Sequence, residues 1–174
     1  MTAIVRQAVP EDIGAIHALL LGFGRHVGHV EWVSAGPEAL AGALFGAAPR
    51  GHAHVALVDG RIVGVALWFL SFNFWMVQPV LYLEDLFVDA EARGSGAGEA
   101  LMRALAAEAV ARDCAWMDWQ VLTDNHGGQR FYARLGARAQ PEWRLWRLEG
   151  PALAELAGGA QGGAAGAGGG GIAP

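Results

Sequence analysis

A mixed α/β domain is the fold class that this 174-residue sequence predicts, and three stretches predict it. The first is HAHVALV followed by DGR and IVGVALWFLSF, where Asp59-Gly60 between two apolar runs signals a tight hairpin. The second is LYLEDLFV, Leu81 to Val88, then a helical pattern over 96–112, then WMDWQVL, Trp116 to Leu122. A strand–helix–strand crossover of that length favours parallel pairing. The third is the apolar stripe Ile13, Ile16, His17, Leu19 and Leu20, which predicts an amphipathic helix packed on the sheet.

In chain order, AIVRQAV reads as a first strand, and Pro10, Glu11 and Asp12 as a helix start. Gly22, Phe23 and Gly24 are expected to break that helix. His26, His29 and Glu31 lie close together, but a third firm metal ligand is missing and loop histidines are the expectation, so no metal is assigned. Pro37 to Leu44 reads as a second helix. His52 and His54 share one side of their strand, expected to be solvent-facing. Phe72 to Pro79 is aromatic-rich and leads into the central strand. On the helix over 96–112, Leu101, Leu105, Ala109 and Val110 share a side, and on the following strand Asp118 and Gln120 face opposite to Trp119. Asn125 starts a further helix that carries Phe131 and Tyr132 and stops at Gly136. A last strand is expected around Trp143 to Leu148, then a short helix over 149–157. The domain is placed at residues 1–157. Residues 158–174 are nearly all glycine and alanine, with no apolar face to bury, and are expected to be disordered.

Bulk properties narrow the function. A net charge of −5 argues against nucleic acid and mildly favours cationic substrates. The longest apolar run, Leu67 to Val77, is too short to span a bilayer and holds Ser71 and Asn73, so no membrane partner is expected. No basic-then-apolar leader is evident, and the expected location is cytoplasmic. Cys114 is the single cysteine, which rules out an internal disulfide and reads as a small buried side chain.

The chemistry concentrates between residues 81 and 103. Glu84 and Asp85 interrupt an apolar strand, where burying two carboxylates is costly. Gly94, Ser95, Gly96, Ala97 and Gly98 then precede a helix. Small residues there let backbone approach a ligand, and N–H groups converge on an anion such as phosphate. Arg93 adds a guanidinium suited to phosphate. A P-loop is excluded because the chain has no lysine. A dinucleotide fingerprint fits poorly, since Gly94, Gly96 and Gly98 give G-x-G-x-G in mid-chain.

RGSGAG, Arg93 to Gly98, resembles the acetyl-CoA motif Q/R-x-x-G-x-G/A of the GNAT acetyltransferase superfamily, and N-x5-FY-x3-GA, Asn125 to Ala137, resembles the motif that follows it. The run YLEDLFV…RGSGAG…FYARLGA…WRL is similar to the diamine (spermidine/spermine) acetyltransferase branch. The resemblance covers roughly residues 3–148 and implies a GNAT fold. That means a mixed, mostly antiparallel sheet of about six to seven strands, about four flanking helices, and a splayed parallel central pair that admits the pantetheine arm.

It further implies an acetyl-CoA-dependent N-acetyltransferase acting on a small primary amine, polyamine- or diamine-like, and a homodimer. A different amine, such as an amino acid or a thialysine-like compound, or a non-catalytic acyl-CoA-binding domain, are the alternatives. The backbone from Arg93 through Gly94, Ser95, Gly96, Ala97 and Gly98 to Glu99 would hold the pyrophosphate. Asn125 would contact the cofactor, and an N–H of Leu86, Phe87 or Val88 would meet the developing negative oxygen. Glu84, with Asp85 as second choice, would take the amine proton. On an ordinary strand the two point to opposite faces. Trp75, Asp118 and Gln120 would join them at the acceptor, with Phe74 beside Trp75. Tyr132 would neutralise the departing thiolate. The branch typically carries a Tyr-Glu pair after its first helix. GFGRHV stands there instead, and Arg25 and His26 would repel a polycation.

Overall fold

The computed structural model describes residues 3–159. The chain divides into two compact units after Leu122.

The first unit is one five-stranded sheet between two helical layers. Its elements are β1 (Ile4–Gln7), α1 (Ile13–Val27), α2 (Pro37–Phe45), β2 (His52–Val58), β3 (Arg61–Asn73), β4 (Gln78–Val88), α3 (Ala97–Ala111) and β5 (Met117–Asp118). Strand order is β1-β2-β3-β4-β5, antiparallel throughout except for the parallel β4–β5 pair. The β2–β3 turn has Asp59 and Gly60 both at positive φ, the two-residue hairpin geometry expected of Asp-Gly.

Ala53 to Ala56 on β2 and Val63 to Ala66 on β3 are buried on both faces, because helices cover both. On one face Ile16 and Leu19 of α1 pack with Val55, Val65 and Phe87, and Leu40 and Leu44 of α2 close the edge. On the other face Leu101 and Leu105 of α3 are fully buried, and Leu101 lies 3.3 Å from the point where a side chain on Gly64 would begin. Val110 is exposed, so it does not share the buried stripe of Leu101, Leu105 and Ala109.

Three further expectations in this unit are corrected. Helix α1 runs through Gly22 and Gly24 and stops only at Gly28, which takes the left-handed conformation. Those inner glycines serve close approach: a Cβ on Gly24 would sit 2.9 Å from Val30 Cα, and one on Gly22 would sit 3.1 Å from Phe87 Cε1. His54 is buried, because α3 covers its side of β2. Finally, β5 is a two-residue strand where seven residues of extended pattern were expected.

The second unit holds α4 (His126–Arg134) and α5 (Gly150–Gly159). Asn125 caps α4 by accepting the Gly128 N–H at 2.8 Å, and Gly136 at positive φ ends the turn after it. Residues 143–148 form no strand. The WRLWRL alternation finds no partner strand among the described residues, and an unpaired strand is not stable in water. The sheet therefore has fewer strands than the six to seven expected. Of the expected Gly/Ala tail, residues 158 and 159 end α5, and 160–174 lie outside the described residues.

Candidate active site

The site is built on an irregularity in β4. Trp68 pairs with Leu83 and Leu67 with Asp85, so Glu84 is an extra residue on β4, a β-bulge. The bulge interrupts the simple alternation expected for the two carboxylates: Asp85 pairs with Leu67, and Glu84 has no partner of its own on β3. Beyond it, Asp85 and Phe87 lie on the α1 side of the sheet, since their partners Leu67 and Val65 belong to that core.

The same stretch of β4 has an open edge. Pairing with β5 is limited to Leu81–Met117 and Tyr82–Asp118, and beyond Tyr82 no strand pairs with this side of β4 among the described residues. The backbone N–H of Asp89 donates to Val63 on the β3 side at 2.8 Å. Strand alternation then directs the N–H of Phe87 to β3 as well, and those of Leu86 and Val88 to the open edge. Of the three expected oxyanion donors, Leu86 and Val88 have the right direction.

Electrostatics separate the acids. The Asp85 carboxyl is pushed up to about 6, first by burial and then by the neighbouring Glu84 charge. Glu84 itself is exposed. The Tyr82 hydroxyl is raised by burial and by the Glu84 and Asp118 charges, and is hydrogen-bonded with Gln120. Asp118 also accepts from Trp116 Nε1 at 2.7 Å. Tyr82, Glu84, Asp118 and Gln120 therefore form one polar group beside Asp85. Tyr82 escaped the sequence reading because an aromatic in an apolar strand looks like core, and only β5 pairing reveals its neighbours.

Trp75 stands apart. It sits in the β3–β4 turn, is 91 % exposed, and lies nine residues before Glu84, about 20 Å away even counted only from the start of β4. Phe74 is exposed there too.

Past β4 the chain makes a glycine loop. Gly94 and Gly96 both have φ of +83°, and nothing lies within 4 Å of where a Cβ on either would be. The N–H groups of Arg93 and Ser95 are used within the loop, on Ala90 and Ala92 carbonyls. That of Ala97 reaches Ser95 Oγ at 3.4 Å. Those of Gly94, Gly96, Gly98 and Glu99 have no acceptor among the described residues. Four free N–H groups, two on an open left-handed backbone and two in the first turn of α3, suit a diphosphate. Arg93 is exposed beside them, and a cleft of about 600 Å³ along the loop is lined by Asp59, Arg61, Glu91, Arg93, Gly94 and Ser95.

In the second unit, burial pushes the Tyr132 hydroxyl up to about 12. The Phe131 and Tyr132 rings meet edge-on at 5.0 Å. Cys114, half-buried after α3, has its thiol raised by burial, which leaves it a poor nucleophile. His29 pairs with Glu31 at 3.1 Å and stacks on Trp32. Among the described residues no set of three His, Cys, Asp or Glu is placed to hold a metal ion, and no helix is long and apolar enough to cross a membrane.

Comparison with known proteins gives concordant findings. Residues 29–137 match the acetyltransferase (GNAT) family. The chain is 31 % identical over 166 residues to thialysine N-epsilon-acetyltransferase of Bos taurus, covering 89 % of this chain and 97 % of that protein. It is 34 % identical over 97 residues to L-ornithine N5-acetyltransferase NATA1 of Arabidopsis thaliana, covering 56 % of this chain and 42 % of that one. An integron cassette protein from V. cholerae superposes with a TM-score of 0.76 at 25 % identity, covering 90 % of this chain and 98 % of its own.

Proposed function

We propose, from the premise that this chain belongs to the GNAT family of acetyltransferases, that it acetylates the terminal amine of a small acceptor by direct attack. The observation that carries this reading is the bulge at Glu84. It sets two carboxylates close enough for the Glu84 charge to act on Asp85, on the strand that leads into a glycine loop with free N–H groups.

The family uses acetyl-CoA as cosubstrate, and its thioester supplies the activated acetyl group. Every other requirement falls to the protein. The free N–H groups of Gly94, Gly96, Gly98 and Glu99 fit the diphosphate, with the α3 dipole behind them. Asn125 of the second unit is the further cofactor contact, with its side chain also capping α4.

An alkylammonium titrates near 10.4, so the acceptor arrives charged and must lose a proton before it can attack. Glu84 and Asp85 attract the cation. Asp85, close to about 6, is half-way matched to neutral pH and is the better proton acceptor, with Glu84 at the solvent side to pass the proton out. This reverses their order of preference in the sequence. Asp118 and Gln120, tied to Tyr82, bound the acceptor on the β5 side. The N–H groups of Leu86 and Val88 face the developing negative oxygen.

Tyr132 stabilises the departing sulfur chiefly as a hydrogen-bond donor. A phenol near 12 and a thiol near 8.5 differ enough that complete proton transfer would cost about 5 kcal/mol. Tyr132→Phe is expected to lower kcat by about 10²-fold or more with little change in coenzyme A affinity, read by thiol release and calorimetry. Unchanged kcat would remove Tyr132 from the chemistry.

We also infer a homodimer. Phe72, Phe74, Trp75, Met76 and Val77 expose a continuous apolar turn, and Trp75 can reach an acceptor pocket only across such a contact. Sedimentation of the wild type and of Trp75→Ser tests this, since an unchanged monomer for both would contradict it. The non-catalytic alternative is answered by the same thiol-release assay over a panel of amines.

A further inference from the structure

The C-terminal end of α1 brings a guanidinium, Arg25, and an imidazole, His26, down to the strand that carries the acids. The His26 ring lies 6.3 Å from the Phe87 ring. The Arg25 guanidinium comes within 3.9 Å of the point above Gly22 where a side chain would begin, and Phe87 Cε1 lies 3.1 Å from the same point. Gly22 is what allows the helix this close to Phe87. Both side chains are exposed, and among the described residues neither makes a hydrogen bond or an ion pair. Their neighbour His29 is different, being paired with Glu31. Phe87 and Asp85 share one face of β4, two residues apart, so their Cα atoms are about 7 Å from each other.

One sheet face thus holds an anion, Asp85, and, roughly one side-chain length along, an unpartnered guanidinium and imidazole around an aromatic ring. A polyamine would meet repulsion at the second position. An α-amino acid with an ω-amine fits both. Extended, its terminal nitrogen and its carboxylate are about 6–8 Å apart. The ammonium would lie at Asp85 and Glu84, and its carboxylate on Arg25, which presents a two-pronged donor to a planar anion. His26 offers a further N–H.

We propose that Arg25, assisted by His26, is the specificity determinant for an acceptor bearing a carboxylate, so that the acceptor is a diamino acid and not a di- or polyamine. This rests on the acetyl-transfer reading for the position of the reacting amine at Asp85. It also accounts for these two side chains beyond the favourable place of a basic group at a helix C-terminus, a role that any acceptor would leave unaltered.

The test uses matched pairs that differ only by the carboxylate: lysine with cadaverine, and ornithine with putrescine. Thiol release from acetyl-CoA gives kcat and KM for each. Calorimetry of the same four compounds on the coenzyme A-saturated protein gives affinity whether or not turnover occurs. The wild type is expected to favour the amino acid of each pair by about 10- to 100-fold, the range of one charge-assisted carboxylate contact. Arg25→Gln is expected to erase that ratio through KM, Arg25→Lys to restore part of it, and His26→Gln to reduce it less. Equal binding within each pair, or an Arg25→Gln effect equal for both members, overturns the proposal. Discrimination in binding with no turnover on any amine upholds it while refuting the enzymatic reading of the site.

Discussion

The two faces of the β3–β4 ladder handle polar groups in opposite ways. On the α3 face, His54 is buried and fully engaged. Trp68 Nε1 donates to His54 Nδ1 at 3.1 Å, which requires the His54 proton to sit on Nε2, toward Glu108 Oε1 at 3.8 Å. His52 stacks on the Trp68 ring, Arg112 lies over it at 5.2 Å, and Arg112 bonds Glu108 at 3.0 Å. On the α1 face, Asp85 is half-buried beside a second acid, and the charge that acts on it is the like charge of Glu84. The first arrangement sets its polar groups against one another and holds α3 on the sheet. The second leaves a carboxylate short of partners at an open strand edge, which is costly for stability and useful only if a ligand supplies the counter-charge. Function is expected where polar groups lack partners, and structure where they have them.

Substitutions can break this contrast. The largest effect is expected for Asp85→Asn: kcat/KM falls by about 10²–10⁴-fold while stability rises by about 1–2 kcal/mol, because a carboxylate that resists ionisation is removed. Thiol-release kinetics and denaturant unfolding read the two halves. Loss of stability would make Asp85 structural, and the contrast would fail. His54→Ala should do the reverse, costing about 2–4 kcal/mol by leaving Trp68 Nε1 unpaired and opening space under α3, with kcat of the remaining folded protein retained.

The pH responses should also run differently. His54 titrates below its ordinary value, lowered first by burial and then, against a raising influence from Glu108, by the His52 and Arg112 charges. Its contribution is complete above about 6.5 and is lost as pH falls below that, since the unfolded chain takes up the proton first. Asp85 works as a base only when ionised, so log kcat/KM should climb as pH rises through about 6. Thermal unfolding and rate profiles in the same buffers separate them. A smaller effect is expected from Gly24→Ala, about 1–3 kcal/mol of destabilisation by unfolding, because the new methyl meets Val30 backbone and not a movable side chain.

The sequence carried the motifs well and their settings poorly. Strand, glycine loop and helix between Leu81 and Ala111 were legible, because turn chemistry and helical spacing are local signals. The bulge was not, since a bulge is a mismatch between two strands and Glu84 alone does not reveal that Leu67 faces Asp85. Gly22 and Gly24 read as a break because glycine weakens isolated helices, yet here α1 keeps its path by packing tightly on Phe87 and Val30. His54 read as exposed because its burial comes from α3, which lies more than forty residues further on. WRLWRL alternates as a strand should, but pairing depends on a partner that its own pattern cannot provide.

The proposed diphosphate site is the set of N–H groups in the loop after β4. Titration of coenzyme A into labelled protein, followed through the backbone amide resonances, reads that site residue by residue. Saturable shifts are expected at Gly94, Gly96, Gly98 and Glu99, with slowed amide exchange there. Saturable shifts confined to other parts of the chain, with these four unmoved, would contradict it.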